Sequence, residues 1–300
     1  MTAGSGTCHV ARMIPVASKL SDVAAPYSVL LCDVWGVVHN GVAPFPVAVD
    51  ALVRARGAGK KVVLVSNAPR PSGEIPAQLA RLGVTDKAYD LIVTSGDAAR
   101  EILAQWSAAG EVRLHHIGPA RDLPLYEGLA VARAALGEAS HVVCTGPFDD
   151  DTETPDDYAE TLAEIARRRL PFLCANPDIV VQRGDRLIYC AGALAQKLEA
   201  LGGAAIYPGK PHAPIYELAL KRLAEKAGRA FAKTEILAIG DGLMTDILGA
   251  ERFAIAALFI AGGIDAACFV KGGGVDAAAV AAACRSAGVR PLAAMRALED

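Results

Sequence analysis

The sequence predicts an α/β protein built on a doubly wound parallel sheet, with a second α/β unit inserted into it. Three observations lead there. Apolar, β-branched runs alternate with helical patterns along the chain, which is the signature of strands joined by crossover helices. Two of those runs, Val29 to Cys32 and Ile236 to Ile239, lead into carboxylates at Asp33 and Asp241. Between Gly110 and Ala204 the alternation continues, but polar motifs at the strand ends become sparse; they return from Ile206. The expected division is therefore 1–109 with 205–300 as one domain, and 110–204 as an insert of about 95 residues, within the usual domain range.

In chain order, Val29 to Cys32 reads as a strand, Val47 to Ala58 as a helix and Lys61 to Ser66 as a second strand. Ser72 to Leu82 is helical, with Gly83 as its stop. Leu91 to Val93 and Asp97 to Ala108 repeat the unit. In the insert, Val112 to Ile117, His141 to Cys144 and Phe172 to Ala175 are strands. Pro155 to Arg169 is a helix there: Thr154 caps it, Pro155 suits its first position, and Asp156 and Asp157 favour its positive end. The acidic run Asp149 to Asp157 is thus a helix entrance. Beyond Ile206 come helix Ala213 to Ala227, strand Ile236 to Ile239, helix Met244 to Phe253, strand Ile255 to Ile260 and a closing helix Asp276 to Ala287.

Composition narrows the function. The chain has 300 residues, 53% hydrophobic and 21% charged, and a net charge of −3. Nothing favours nucleic acid or an anionic membrane surface. No apolar run approaches the roughly 20 residues of a membrane span, and Met1 to Leu20 reads as an arm and a short helix, not a signal peptide. Seven cysteines, an odd number without Cys-x-x-Cys spacing, point to a reducing cytoplasm.

Four polar stations fall at the ends of strands or just before helices: Asp33; Ser66-Asn67; Gly209-Lys210-Pro211; and Asp241 with Asp246. Open α/β sheets bind ligands at the carboxyl ends of their strands. Each residue type suits phosphoryl transfer. A carboxylate can attack phosphorus. A hydroxyl, an amide and a lysine can hold its equatorial oxygens. Asp33 and Asp241 can hold an octahedral Mg²⁺ that keeps several waters.

This ordered set, Asp33-Val34-Trp35-Gly36-Val37, Ser66-Asn67, Gly209-Lys210-Pro211 and Gly240-Asp241 to Thr245-Asp246, resembles the haloacid dehalogenase-like hydrolases. The insert, with Asn176-Pro177-Asp178 inside it, resembles the class IIA branch of nitrophenylphosphatase-like and sugar-phosphate phosphatases. The resemblance spans about Tyr27 to Gly263 and implies a Rossmann-like core with an inserted α/β cap domain. It further implies that Asp33 is the nucleophile, that Ser66 holds the transferring phosphoryl group, and that Asn67 shapes that loop. Lys210 would neutralise nucleophile and phosphate. Mg²⁺ would be ligated by Asp33, Asp241 and the backbone carbonyl of Trp35, with Asp246 orienting a ligand water or ligating directly. Gly36, Asn176 and Asp178 are candidate substrate contacts, as are Arg70 and His212. The substrate would be a small phosphorylated metabolite, and relatives with this kind of cap often pair into homodimers.

One residue departs from the pattern. The family's phosphatases usually carry an aspartate two residues after the nucleophile, where this chain has Trp35. Indole has only a non-titrating N–H donor, so it cannot protonate a leaving oxygen. Losing a general acid typically costs about 10²–10⁴ in rate. His39, six residues after Asp33, is a candidate substitute. A phosphate- or nucleotide-binding protein without turnover, and a phosphotransferase, are the alternatives.

Overall fold

The computed structural model describes residues 13–300. The expected arm falls largely on residues 1–12, which with Cys8 lie outside the described residues. Strands β1 (Val29–Cys32), β2 (Lys61–Ser66) and β3 (Leu91–Thr94) come first. They are followed by β4 (Arg113–Ile117), β5 (Ala132–Arg133), β6 (His141–Cys144), β7 (Phe172–Cys174), β8 (Val180–Arg183), β9 (Arg186–Tyr189) and β10 (Ala205–Ile206). The chain closes with β11 (Ile236–Gly240), β12 (Ala256–Ile260), a small hairpin of β13 (Val270–Lys271) and β14 (Gly274–Val275), and β15 (Ala293–Met295).

Six strands form one sheet in the order β15-β12-β11-β1-β2-β3, all parallel. The winding starts at β1, runs outward to β3, then returns to β11 on the other side of β1. Strands β1 and β11 therefore flank the switch point, where an open sheet leaves a crevice beyond its strand ends. The strands are buried on both faces, as parallel strands covered by helices must be. Leu30, Cys32, Val62 and Leu64 pack on one side, while Val29, Leu31, Val63 and Val65 pack on the other. Burying a side chain such as Leu30 or Leu64 completely contributes about 1.5–3 kcal/mol, so the centre of the sheet is rigid.

A second sheet, β10-β7-β6-β4-β5, is also parallel throughout. Its outermost strand, Ala205–Ile206, falls just beyond residue 204. Helices Ala159–Arg168 and Ala191–Ala200 pack on one face through Leu162, Ile165, Leu194 and Leu198. Among the described residues no helix is long and apolar enough to cross a membrane.

Local differences from the expected elements have identifiable causes. The segment from Pro155 opens as a 3₁₀ turn to Tyr158 before the α-helix Ala159–Arg168. Thr154 caps that turn in a reciprocal box with Asp157. Residues Leu243–Ile247 form a wide π-turn ahead of helix Leu248–Phe253, because the Asp246 carboxylate folds back to accept from the Gly242 N–H at 3.0 Å. The hairpin β8–β9 was not anticipated, although Gly184-Asp185 between two short runs is a turn signal.

The helix Ser95–Ala109 starts from a capping box between Thr94 and Asp97, and the Thr94 hydroxyl also donates to the Arg70 carbonyl at 2.7 Å. Thr94→Ala should lower stability by about 1–2 kcal/mol, read as a shift in the urea unfolding midpoint at unchanged slope. An unshifted midpoint would show that the cap contributes nothing.

Candidate active site

The register brings the first and last stations together. Cys32 lies beside Ile239, and the Asp33 N–H donates to the Ile239 carbonyl at 2.8 Å. Asp33 and Asp241 thus leave neighbouring strands at the switch point. Asp246 returns to the same place through its π-turn. Oxygens of these three buried carboxylates lie within 4.8 Å of one another.

Lys210 reaches this cluster from the loop before helix Ala213–Ala227. Its ammonium donates to Asp33 Oδ1 at 2.5 Å and to Asp246 Oδ1 at 2.6 Å, with its side chain only 5% exposed. Burial opposes the lysine charge, but the Asp246 and Asp33 carboxylates outweigh it and hold Lys210 well above the ordinary lysine range. Burial, then the charge of Asp246, pushes Asp33 well above the carboxylate range in spite of Lys210. The same two causes push Asp241 up to about 7. Three carboxylates against one ammonium leave a buried excess of negative charge, the environment a divalent cation would complete.

The hydrogen bonds sort the three. Asp246 has both oxygens engaged, Oδ1 by Lys210 and Oδ2 by the Gly242 N–H. Asp241 accepts from the Ile264 N–H on Oδ2 at 2.7 Å. No described residue donates to Asp33 Oδ2 or Asp241 Oδ1, so these are the oxygens open to a metal. Gly36 makes room for this arrangement. Its φ is +83°, and a Cβ there would collide with the Asp241 carboxylate.

Ser66 ends β2, the next strand over, and Asn67 follows it. Ser66 Oγ accepts from the Ala68 N–H at 3.2 Å, which leaves its own proton to give. The Asn67 side chain is fully used: Oδ1 accepts from the Lys210 N–H at 2.8 Å, while Nδ2 donates to Asp178 Oδ1 at 2.8 Å and to the Lys210 carbonyl at 3.1 Å. Asn67 therefore locks the lysine loop and ties it to the second sheet. Gly209 permits the approach, since a Cβ there would crowd Asn67, Ser95 and Pro177. Asn176 folds its own turn, accepting from the Asp178 N–H at 3.1 Å. A second link runs from the hairpin, where the Gly184 N–H donates to the Asn40 carbonyl at 3.4 Å.

Trp35 stands at the edge of the site. Its ring packs edge-on against His39, with centroids 5.1 Å apart, and lies where a Cβ on Gly41 would be. Its indole N–H is buried without a partner. His39 Nδ1 accepts from the Gly41 N–H at 3.0 Å, so the neutral ring carries its proton on Nε2. Burial lowers the His39 pKa to about 4. At neutral pH it holds no imidazolium proton to donate, which argues against the substitute role.

Asp33, Trp35, Gly36, His39, Ser66, Asn67, Asn176, Asp178, Lys210, Asp241 and Asp246 line one cavity of about 1370 Å³ between the two sheets, together with Arg70, Asp122, Thr145 and His212. Asp122 and Thr145 were not anticipated. The signal was present for Thr145, a polar residue directly after an apolar strand, as Asp33 is.

Family models match in two blocks, "Haloacid dehalogenase-like hydrolase" over residues 30–126 and "HAD-hydrolase-like" over residues 207–287. A crystal structure of a haloacid dehalogenase-like hydrolase from Brucella suis is 46% identical, covering 94% of this chain and 99% of that one with a TM-score of 0.84. The chain belongs to the haloacid dehalogenase-like hydrolases. D-glycerol 3-phosphate phosphatase of Mycobacterium tuberculosis is 28% identical over 262 residues, 83% of this chain and 67% of that protein. Structures of a glycerol phosphate phosphatase from Mycobacterium tuberculosis, 26% identical over 81% of this chain, were determined in complex with calcium (68% of that chain, TM-score 0.62) and with magnesium (70%, TM-score 0.63). Chronophin of Bos taurus is 28% identical over 78% of this chain and 81% of its own length. The acidic cluster of this hydrolase fits use of a divalent metal.

Lys210→Met should leave the carboxylates buried without their cation. A loss of about 3–5 kcal/mol is expected in chelator, and adding Mg²⁺ or Ca²⁺ should recover part of it. Equal stability of the two proteins in chelator would contradict this electrostatic account.

Proposed function

We propose that the protein is a Mg²⁺-dependent phosphatase acting on a small phosphorylated metabolite through an aspartyl-phosphate intermediate. The observation that carries this reading is the convergence of Asp33, Lys210, Asp241 and Asp246 at the switch point, in a chain similar to phosphatases.

Asp33 attacks phosphorus, the ester oxygen departs, and water then hydrolyses the aspartyl phosphate. Lys210 neutralises the nucleophile and the incoming phosphate. The Ser66 hydroxyl donates to a phosphoryl oxygen. Asp33, Asp241 and the Trp35 carbonyl would hold Mg²⁺, with Asp246 ordering a water; the ion supplies charge neutralisation between nucleophile and phosphate. The second sheet serves as the cap, and its contacts through Asp178 and Gly184 support closure over the cavity, which excludes water. The six described cysteines are all free, in keeping with a reducing compartment such as the cytoplasm.

The indole at position 35 cannot supply the acid, and His39 is neutral. The departing oxygen must leave as an anion or take its proton from water. Charge builds on the leaving group in a loose transition state, so rates should fall steeply as leaving-group pKa rises.

Nitrophenyl phosphate should be hydrolysed only with Mg²⁺, and Asp33→Asn should abolish that turnover. Activity surviving in chelator would sink the metal assignment. Acyl and nitrophenyl phosphates should be cleaved faster than alkyl phosphates, and Trp35→Asp should raise the alkyl rate by up to about 10²-fold. Equal rates for nitrophenyl and alkyl phosphates in the natural chain would show that another group supplies the proton.

A further inference from the structure

The helix that follows the Lys210 loop, Ala213–Ala227, carries Tyr216 in its first turn. The side chain is 2% exposed. Its ring stacks on Phe253 with centroids 5.1 Å apart and joins the apolar layer of Leu31, Ile247 and Ala250. Its hydroxyl is buried without a partner. A phenylalanine would fill the same space, and a buried hydroxyl without a partner costs stability. The hydroxyl therefore serves something other than the packing around it.

Two observations locate it. A Cβ on Gly249 would meet the hydroxyl at 2.2 Å, so this glycine keeps room for it. Gly249 lies three residues after Asp246 in one helical run, the π-turn Leu243–Ile247 and helix Leu248–Phe253, which is about 4.5 Å along the axis. The charges agree with that placement. Burial, then the Asp246 carboxylate, holds the Tyr216 pKa above the ordinary phenol range, with Lys210 opposing. The phenol is therefore neutral, and it can donate one hydrogen bond.

As the side chains stand, Asp246 has no use for this donor. Lys210 holds its Oδ1 at 2.6 Å and the Gly242 N–H holds its Oδ2 at 3.0 Å. The reaction proposed above changes that. Asp33 becomes bonded to phosphorus, and Lys210 turns from the two carboxylates to the phosphoryl oxygens. Asp246 Oδ1 is then a buried, charged acceptor short of a donor, which costs more than a neutral one does. Tyr216 holds an idle donor close by.

We propose that Tyr216 is a positioning residue whose hydroxyl donates to Asp246 when Lys210 turns to the phosphate. The carboxylate is thereby kept ionised and in place while its lysine is engaged elsewhere. The inference rests on the phosphatase reading for the turn of Lys210. It adds a residue that does not line the cavity and acts on the reaction through Asp246.

Tyr216→Phe tests this with two measurements of opposite sign. In chelator without phosphate, its urea unfolding midpoint should equal or exceed that of the natural chain at unchanged slope, since the hydroxyl removed has no partner there. With Mg²⁺, its kcat/KM for nitrophenyl phosphate should fall about five- to tenfold. A lower midpoint in chelator overturns the inference, because the hydroxyl would then be a structural bond of the resting site. A kcat/KM within about twofold of the natural value overturns it as well. Absence of nitrophenyl turnover in the natural chain would instead defeat the phosphatase reading. Orthophosphate binding with Mg²⁺, read by calorimetry, then judges Tyr216 alone: binding weaker by about five- to tenfold in Tyr216→Phe supports the role, and equal affinity, or none in either protein, overturns it.

Discussion

Holding three carboxylates and one lysine out of water is the constraint on which the rest of this structure depends. A buried charge is tolerated only when it is paired and hydrogen-bonded. The cluster of Asp33, Asp241, Asp246 and Lys210 meets that condition only in part, which makes it receptive to a divalent cation. The sheet supplies the rigidity. Asp33 is tied by its own N–H to β11, and strands packed on both faces cannot move apart to relieve the repulsion.

Several features that look independent are consequences of this arrangement. The π-turn at Leu243–Ile247 exists because Asp246 must reach Lys210 with one oxygen and the Gly242 N–H with the other. Gly36 and Gly209 are small because the Asp241 carboxylate and the Asn67 amide occupy the space a side chain would need. Asn67 then couples the lysine loop to Asp178 of the second sheet. The position of the second sheet and the placement of Lys210 are thereby joined in one side chain.

Trp35 sits beside this frame without disturbing it. Its indole packs on His39 and over Gly41, and the contribution of position 35 to a metal would come from its backbone. Position 35 offers no carboxyl proton, while Lys210, Ser66 and the acidic cluster keep their places. Under the proposed function, the expected balance is a hydrolase selective for good leaving groups.

Much of the fold was legible in the sequence because parallel strands buried on both faces must be continuous apolar runs, as in Val62 to Val65, and because crossover helices announce themselves through caps such as Thr154. Asp33, Ser66, Lys210 and Asp241 were legible for a related reason: polar residues at the tips of such strands, or at the start of a helix, have no structural need to be there. The sequence by itself determined the α/β class, the strand ends and the residue types available for chemistry. Only the tertiary structure decided how they are used. That Asn67 is spent on Lys210 and Asp178, that both Asp246 oxygens are engaged, and that His39 is buried and neutral all depend on contacts between segments far apart in the chain. Hydrogen bonding and desolvation act through space, and local pattern carries no record of which distant group will be near.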